Sequence, residues 1–244
     1  MFKSVYIGKA IQYAFQLYIV NWKLVLLLAL ISFLFTAMLD VIRVNVYPID
    51  LWSVLGLIAI ALISIYASTV LTILFIKIGL KGFDSLKVLK FSDLGYPSFS
   101  LVLRFIIVIL VFLLLIFLGT LILIFPGFIM LCALFFVTEV LVDQNLPAKK
   151  VFRISEKLTE GVKWGIFGLI MLYLTVSLAL SIAFFVQYGF ELPFYAGLAQ
   201  RIIISFIISP LVIFASTYLY KDLKQQQEAI DTPDPMPDPD DPEL

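Results

Sequence analysis

PGFIMLCALFFVTEVLVDQNLPAKKVFRISEKLTEG, residues 126–161, decides how this chain is built. Within it, 128–142 is an apolar run whose only charged side chain, Glu139, falls in the last turns. Asp143 and Asn145 follow, and 146–161 then sets charged residues against apolar ones at helical spacing. An apolar run that ends in a charged amphipathic segment reads as a membrane span feeding a helix on the bilayer surface. In that surface helix Val151, Ile154, Leu158 and Val162 form one stripe, widened by Phe152. Lys149, Lys150, Arg153, Glu156, Lys157 and Glu160 take the other side. Asn145 is placed to cap this helix, Pro147 is tolerated in its first turn, and Gly161 ends it.

Composition carries the same reading to the whole chain. Apolar residues make up 62% and charged ones 14%, against roughly 45–50% and about 25% in soluble domains, so the excess apolar surface requires lipid as its solvent. Spans are expected at about 22–39, 51–76, 101–124, 127–142, 164–186 and 202–220. The second exceeds the ~20 residues that a bilayer core needs and must tilt or emerge. Two further surface helices are expected at about 2–20 and 82–95. In the first, Phe2, Tyr6, Ala10, Tyr13, Leu17 and Val20 share a face that sets the tyrosines at headgroup depth. Pro126-Gly127 is expected to form the tight turn between the third and fourth spans. Asn21-Trp22-Lys23 and Lys163-Trp164-Gly165 mark two junctions from surface helix to rising span. Lysines before an apolar run also suit a signal peptide, but no small-x-small site follows 24–39, so no cleavage is expected.

Orientation follows from the bases. Lys3, Lys9 and Lys23, then Lys77, Lys81, Lys87, Lys90 and Arg104, then Lys149, Lys150, Arg153, Lys157 and Lys163, and finally Lys221 and Lys224 fall on one side. Only Arg43 and Arg201 fall on the other, which places both termini in the cytoplasm of a multi-pass cell-membrane protein. The expected fold is therefore all-α: a polytopic membrane bundle of six transmembrane helices with interfacial amphipathic helices. Residues 1–224 form this domain. The remainder, 225–244, has seven acids, no base and five prolines, and is expected to be a disordered cytoplasmic tail. Its carboxylates lie on the same side as the bases of 146–161.

The Pro-Gly pair at 126–127, the run into VLVD at 140–143, the polar break and the Ala148-x6-Ser155-x2-Leu158-x2-Gly161 helix resemble a known arrangement. It is that of the membrane domain of glycerophosphoryl diester phosphodiesterases and related uncharacterised six-span inner-membrane proteins, and Asn21-Trp22 fits the same pattern. The resemblance is specific over about 35 residues. It implies a six-span domain that stands alone or is joined to a soluble catalytic domain; this chain contains no such domain, and the likeness supplies no catalytic residue.

The candidate chemistry is sparse. Histidine is absent and Cys132 is the single cysteine, so His-based zinc sites, Ser-His-Asp triads and an intrachain disulfide are excluded. Glu139 has two readings. As an intramembrane acid it suits ion or proton coupling, with Lys77 or Arg104 as partner; otherwise it reaches the interface beside Asp143 and pairs with Lys150 or Arg153. Pro210, after Ser209, removes one backbone hydrogen bond from the last span and marks a hinge or a substrate notch. Lys149, Lys150, Arg153 and Lys157 either contact anionic lipid headgroups or simply follow from topology. Ser64-x3-Ser68, Ser177-x3-Ser181 and Ala179-x3-Ala183 allow close helix packing.

These features favour a non-catalytic protein acting through lipid or protein contacts, with membrane lipids, a membrane-protein partner or a second copy as its partners. The alternative is a small-solute or ion transporter or channel using Glu139 and the Pro210 break. No cofactor and no nucleic acid is expected. The topology is directly testable by labelling intact cells in a Cys132→Ala background. Cysteines replacing Ser4, Lys87, Lys157 or Gln226 should resist an impermeant external thiol reagent, whereas Asn45→Cys or Glu191→Cys should react. Labelling of Lys157→Cys from outside would overturn the six-span map.

Overall fold

The computed structural model describes residues 6–45, 51–84, 86–122, 124–188, 199–200 and 202–231, and among these there is no strand. The helices are α1 (Ile7–Val20), α2 (Trp22–Asn45), α3 (Leu51–Asp84), α4 (Phe91–Leu94), α5 (Phe99–Ile122), α6 (Ile124–Ala133), α7 (Val137–Gln144), α8 (Ala148–Thr159) and α9 (Lys163–Tyr188). A π-helical turn, Ile204–Ile208, leads into α10 (Ser209–Asp231). Five segments are long and apolar enough to cross a membrane: Val54–Phe83, Phe99–Leu121, Pro126–Gln144, Lys163–Gln187 and Ile204–Asp231. A sixth is obtained when α1 and α2, bent by 91° at their junction, are counted together.

The core sits at one end of the bundle. Leu24, Val25 and Leu28 of α2, Ile73, Ile76 and Ile78 of α3, and Val102 and Phe105 of α5 are buried there. Ile166 of α9 and Phe214, Leu219, Tyr220 and Leu223 of α10 join them. Toward the far end the same helices expose their large apolar side chains, such as Leu62 and Ile63 of α3, Phe117 and Leu121 of α5, and Leu178 and Val186 of α9. Apolar surface left uncovered in this way is unfavourable in water, at roughly 25 cal/mol per Å².

Helices approach most closely where a side chain is missing. A Cβ on Gly79 would lie 2.8 Å from Thr217, which lets α3 and α10 touch. One on Gly127 would lie 2.3 Å from the Thr120 hydroxyl and 3.0 Å from the Thr120 backbone nitrogen, which lets α6 fold back on α5. The Ser64/Ser68 and Ala179/Ala183 pairs, by contrast, lie on largely exposed faces. Around Gly79, α1 docks by an aromatic cluster: Tyr13 packs on Tyr218 and Phe83 at ring-centroid distances of 5.0 and 6.2 Å, and its hydroxyl donates to the Gly79 carbonyl at 2.8 Å.

Several expected elements differ. The helix expected over 2–20 is described from Ile7; of its expected face Ala10, Tyr13 and Leu17 are buried, Val20 is partly buried and Tyr6 is half exposed, while Ala14 joins the buried side. That face packs on protein, however, so Tyr13 is a core residue rather than a headgroup anchor. The surface helix expected over 82–95 is not formed. Residues 82–84 continue α3, 86–90 have no regular secondary structure, and only the four-residue α4 is helical. Asn21 explains the loss of helix: from the α1–α2 elbow its side chain accepts from the Leu89 N–H at 2.7 Å and donates to the Lys87 carbonyl at 3.3 Å, so this segment is bound as backbone.

Pro126-Gly127 is not the turn, because α6 has already begun at Ile124; Pro126 is tolerated in the first turn and Gly127 provides the close contact. Asn145 caps the helix before it, not the one after. It ends α7 in the left-handed conformation (φ 49°), and α8 starts at Ala148 rather than 146. Finally, α10 continues through Asp231, so 225–231 is helix and not tail; 232–244 lies outside the described residues.

Candidate functional site: a polar seam and a basic helix

The expected fourth span is broken. Between α6 and α7, residues 134–136 leave the α-helical hydrogen-bond pattern, with Phe135 and Val137 bonding back by three residues instead of four. The backbone groups released there are met by α8. Ser155 Oγ donates to the Ala133 carbonyl at 3.2 Å and accepts from the Phe136 N–H at 3.2 Å. Thr159 Oγ1 lies 3.1 Å from the same carbonyl. Both side chains are fully buried, as are Val151 and Leu158 beside them. The buried face of α8 is therefore Val151, Ser155, Leu158 and Thr159; of the expected stripe Val151, Leu158 and Val162 are buried, and the face is rotated by roughly a quarter turn away from Ile154 toward the two hydroxyls. Ile154 and Phe152 are only partly buried. The apolar side of α8 rests on the bundle itself.

The break also sets the direction of α7, whose acids meet α10 along one line. Glu139 and Asp143 are four residues apart on α7; Ser216, Tyr220 and Lys224 are four apart on α10, so each set forms a single row. Glu139 is 3% exposed. Its Oε1 lies 2.6 Å from Ser216 Oγ, and its Oε2 accepts from Thr138 Oγ1 at 2.7 Å. Ser216 Oγ is also 2.9 Å from the Ile213 carbonyl, but that oxygen already accepts from Thr217 Oγ1 at 2.6 Å. The single Ser216 proton is thus of most use to the carboxyl. Among the described residues Glu139 has no basic partner.

One turn further on, the acid is fully compensated. Asp143 Oδ2 accepts from Lys224 Nζ and from the Tyr220 hydroxyl, each at 2.7 Å, and Lys221 Nζ lies 3.6 Å from Oδ1. Gln144 Nε2 donates to the Tyr220 oxygen at 3.3 Å.

The residues singled out from sequence fall in four places. Lys77 donates to the Leu94 and Gly95 carbonyls at 3.0 and 2.9 Å, joined by Lys81 on the Asp93 carbonyl, and so closes α4 onto α3. Arg104 Nη1 donates to the backbone and side-chain oxygens of Asn145, each at 3.3 Å, and so holds the α7–α8 turn. Neither base meets Glu139, and neither do Lys150 or Arg153, so all four expected pairings are replaced by hydroxyl groups. Pro210 is buried as the second residue of α10, directly after the π-helical turn Ile204–Ile208. It has no N–H to return to the Phe206 carbonyl four residues before it, and that carbonyl accepts from the Tyr18 hydroxyl at 2.9 Å. The groove beside it, about 170 Å³ and lined by Ile11, Phe15, Leu169, Tyr173, Ile208 and Leu211 among others, suits an aliphatic chain and not a polar solute. Lys149, Lys150, Arg153 and Lys157 are exposed together on α8, with Lys157 in an ion pair with Asp231 at 3.0 Å.

Ser155, Thr159, Ser216 and Tyr220 carry the geometry of these sites, and sequence reasoning assigned none of them a role at the break or the seam. The available signals were the four-residue spacing of Ser216, Tyr220 and Lys224, and hydroxyls on the α8 face opposite its bases. The chain matches no protein-family model, no curated protein and no solved structure.

Removing the Ser216 hydroxyl leaves a buried carboxyl short of a donor. Ser216→Ala should therefore lower unfolding stability in detergent by about 1–3 kcal/mol. The same change made in a Glu139→Leu background should cost far less, because the group it served is gone. Equal losses in both backgrounds would show that the hydroxyl does not serve Glu139.

Proposed function

We propose that this is a multi-pass, non-catalytic membrane protein of the cell membrane, with both termini cytoplasmic, that holds anionic lipid against the basic face of α8. One observation carries the reading. The apolar side of α8 is occupied by the bundle and pinned by Ser155 and Thr159, so Lys149, Lys150, Arg153 and Lys157 are presented outward as a fixed array. A free amphipathic helix would have to spend that apolar side on the bilayer; here the bases are positioned before any lipid arrives, which lowers the ordering cost of binding. The excess of bases on the α8 side supports the orientation. The resemblance of 126–161 to the membrane domain of glycerophosphoryl diester phosphodiesterases agrees with a lipid-associated role and brings no active-site residue with it. A membrane-protein partner or a second copy would meet the same array.

A second reading, proton or ion coupling, is favoured by the burial of Glu139 without a basic partner. Its mark would be a solute flux abolished in a Glu139→Gln protein that still folds and inserts.

The preferred reading is tested by replacing Lys149, Lys150, Arg153 and Lys157 with Gln and measuring anionic lipid retained through purification. The four bases together contribute at most roughly 4 kcal/mol of headgroup attraction. Retention should fall sharply in the variant, and in the parent it should weaken with added salt, because exposed charges are screened. Equal retention by parent and variant at low salt would leave topology as the only reason for the bases.

A further inference from the structure

α10 ends beside the face on which this reading rests. Asp231, its last residue, has Oδ2 3.0 Å from Lys157 Nζ, and Gln227 Nε2 donates to its Oδ1 at 2.9 Å, which orients the carboxylate toward α8. Starting from Lys157, Arg153, Lys150 and Lys149 follow toward the start of α8 within about 12 Å, at 1.5 Å per residue. We infer that the acidic segment 232–244 seats along this row of bases and competes there with anionic headgroups; the competition, though not the seating, rests on the lipid reading above.

Three observations support that occupant. The first is charge: beyond Asp231 the chain carries Asp234, Asp238, Asp240, Asp241 and Glu243 and no base, against an exposed side of α8 on which four bases outnumber the two acids Glu156 and Glu160. The second is reach. Thirteen residues follow Asp231, and at about 3.1 Å per residue in an extended proline-rich form they cover roughly 40 Å, ample for the row. The third is availability. Lys221 and Lys224 are held by Asp143, and Arg104 by Asn145, whereas among the described residues Lys149, Lys150 and Arg153 have no acidic partner. Each exposed ion pair is weak by itself. A tether that begins at the end of the row raises the local concentration of carboxylates enough for several weak pairs to act together. Five prolines restrict the free segment, so it has less freedom to lose on seating.

The seating is tested in full-length protein in neutral detergent, with Cys132→Ala, Glu156→Cys on α8 and Met236→Cys in the tail. Cross-linking within one chain should be rapid at low salt. It should slow several-fold in high salt, and equally when Lys149, Lys150 and Arg153 are all replaced by Gln. A rate indifferent to both changes overturns the seating, and so do cross-links that join two chains. The competition is tested by phosphatidylglycerol retained from mixed micelles with phosphatidylcholine. Deleting 232–244 should raise retention several-fold, and supplying that segment as a peptide should lower it again. If no variant retains phosphatidylglycerol while the cross-link keeps its salt dependence, the lipid reading and the competition fall and the seating stands.

Discussion

A peptide group released from a helix in apolar surroundings has no water to turn to, and its loss costs several kcal/mol unless the protein supplies a partner. Among the described residues, several departures from regular helix are met by a side chain from another element. Ser155 and Thr159 answer the Ala133 carbonyl at the α6–α7 break, and Ser155 also answers the Phe136 N–H. Tyr18 answers the Phe206 carbonyl ahead of Pro210. Asn21 binds the 86–90 segment through Lys87 and Leu89, and Lys77 takes the last carbonyls of α4. These contacts do more than satisfy polar atoms. They set where α7 points, where α1 turns and where α8 lies, and so they position both candidate sites.

The two acids of the seam differ in what their surroundings can offset. Asp143 has two ammonium groups and a phenol, enough to hold its charge at the end of the bundle. Glu139 has two hydroxyls and the first turn of α7, whose dipole contributes about 0.3–1 kcal/mol near a carboxylate. Burying an ion costs several kcal/mol. Hydrogen bonds to a charged group return about 1.5–3 kcal/mol each. Glu139 is buried with hydroxyl partners and, among the described residues, no base, which is why it carries a proposed reading separate from that of α8.

Much of the scaffold was legible because hydropathy acts over whole segments. The runs at 101–124 and 164–186 need no tertiary information to be read as long apolar helices, and α5 and α9 lie there. The junctions at Trp22 and Trp164 also open helices as expected. What was not legible depends on partners distant in sequence. Nothing in Leu134-Phe135-Phe136 signals a break: there is no Gly or Pro, and the compensating hydroxyls come from α8. Periodicity alone put Ile154 on the buried face of α8, because it counts apolar atoms and cannot know that a carbonyl waits opposite Ser155. The segment 82–95 has the right mixture for a surface helix, but Asn21 binds the backbone of Lys87 and Leu89 and holds that part out of a helix. The end of α10 was misplaced because Gln225 to Asp231 resembles the acidic tail in composition while continuing the helix in hydrogen bonding.

Those same long-range partners join the two sites into one unit. α8 holds the break through Ser155 and Thr159; the break aims α7; α7 meets α10 through Glu139 and Asp143; and α10 returns to α8 through Asp231 and Lys157. A closed ring of contacts is not in itself energetic coupling, which requires an element with two arrangements that both sites bias. The ring nevertheless fixes how variants must be interpreted. A change at Ser155 or Thr159 touches the α8 array and the direction of α7 together, so its effect on lipid retention belongs to neither site alone. The four bases themselves lie outside the ring except for Lys157, whose partner is on α10. Lys149, Lys150 and Arg153 are therefore the positions at which the proposed headgroup attraction can be tested without disturbing the seam, and any effect they have on Glu139 would have to travel through α8 as a body.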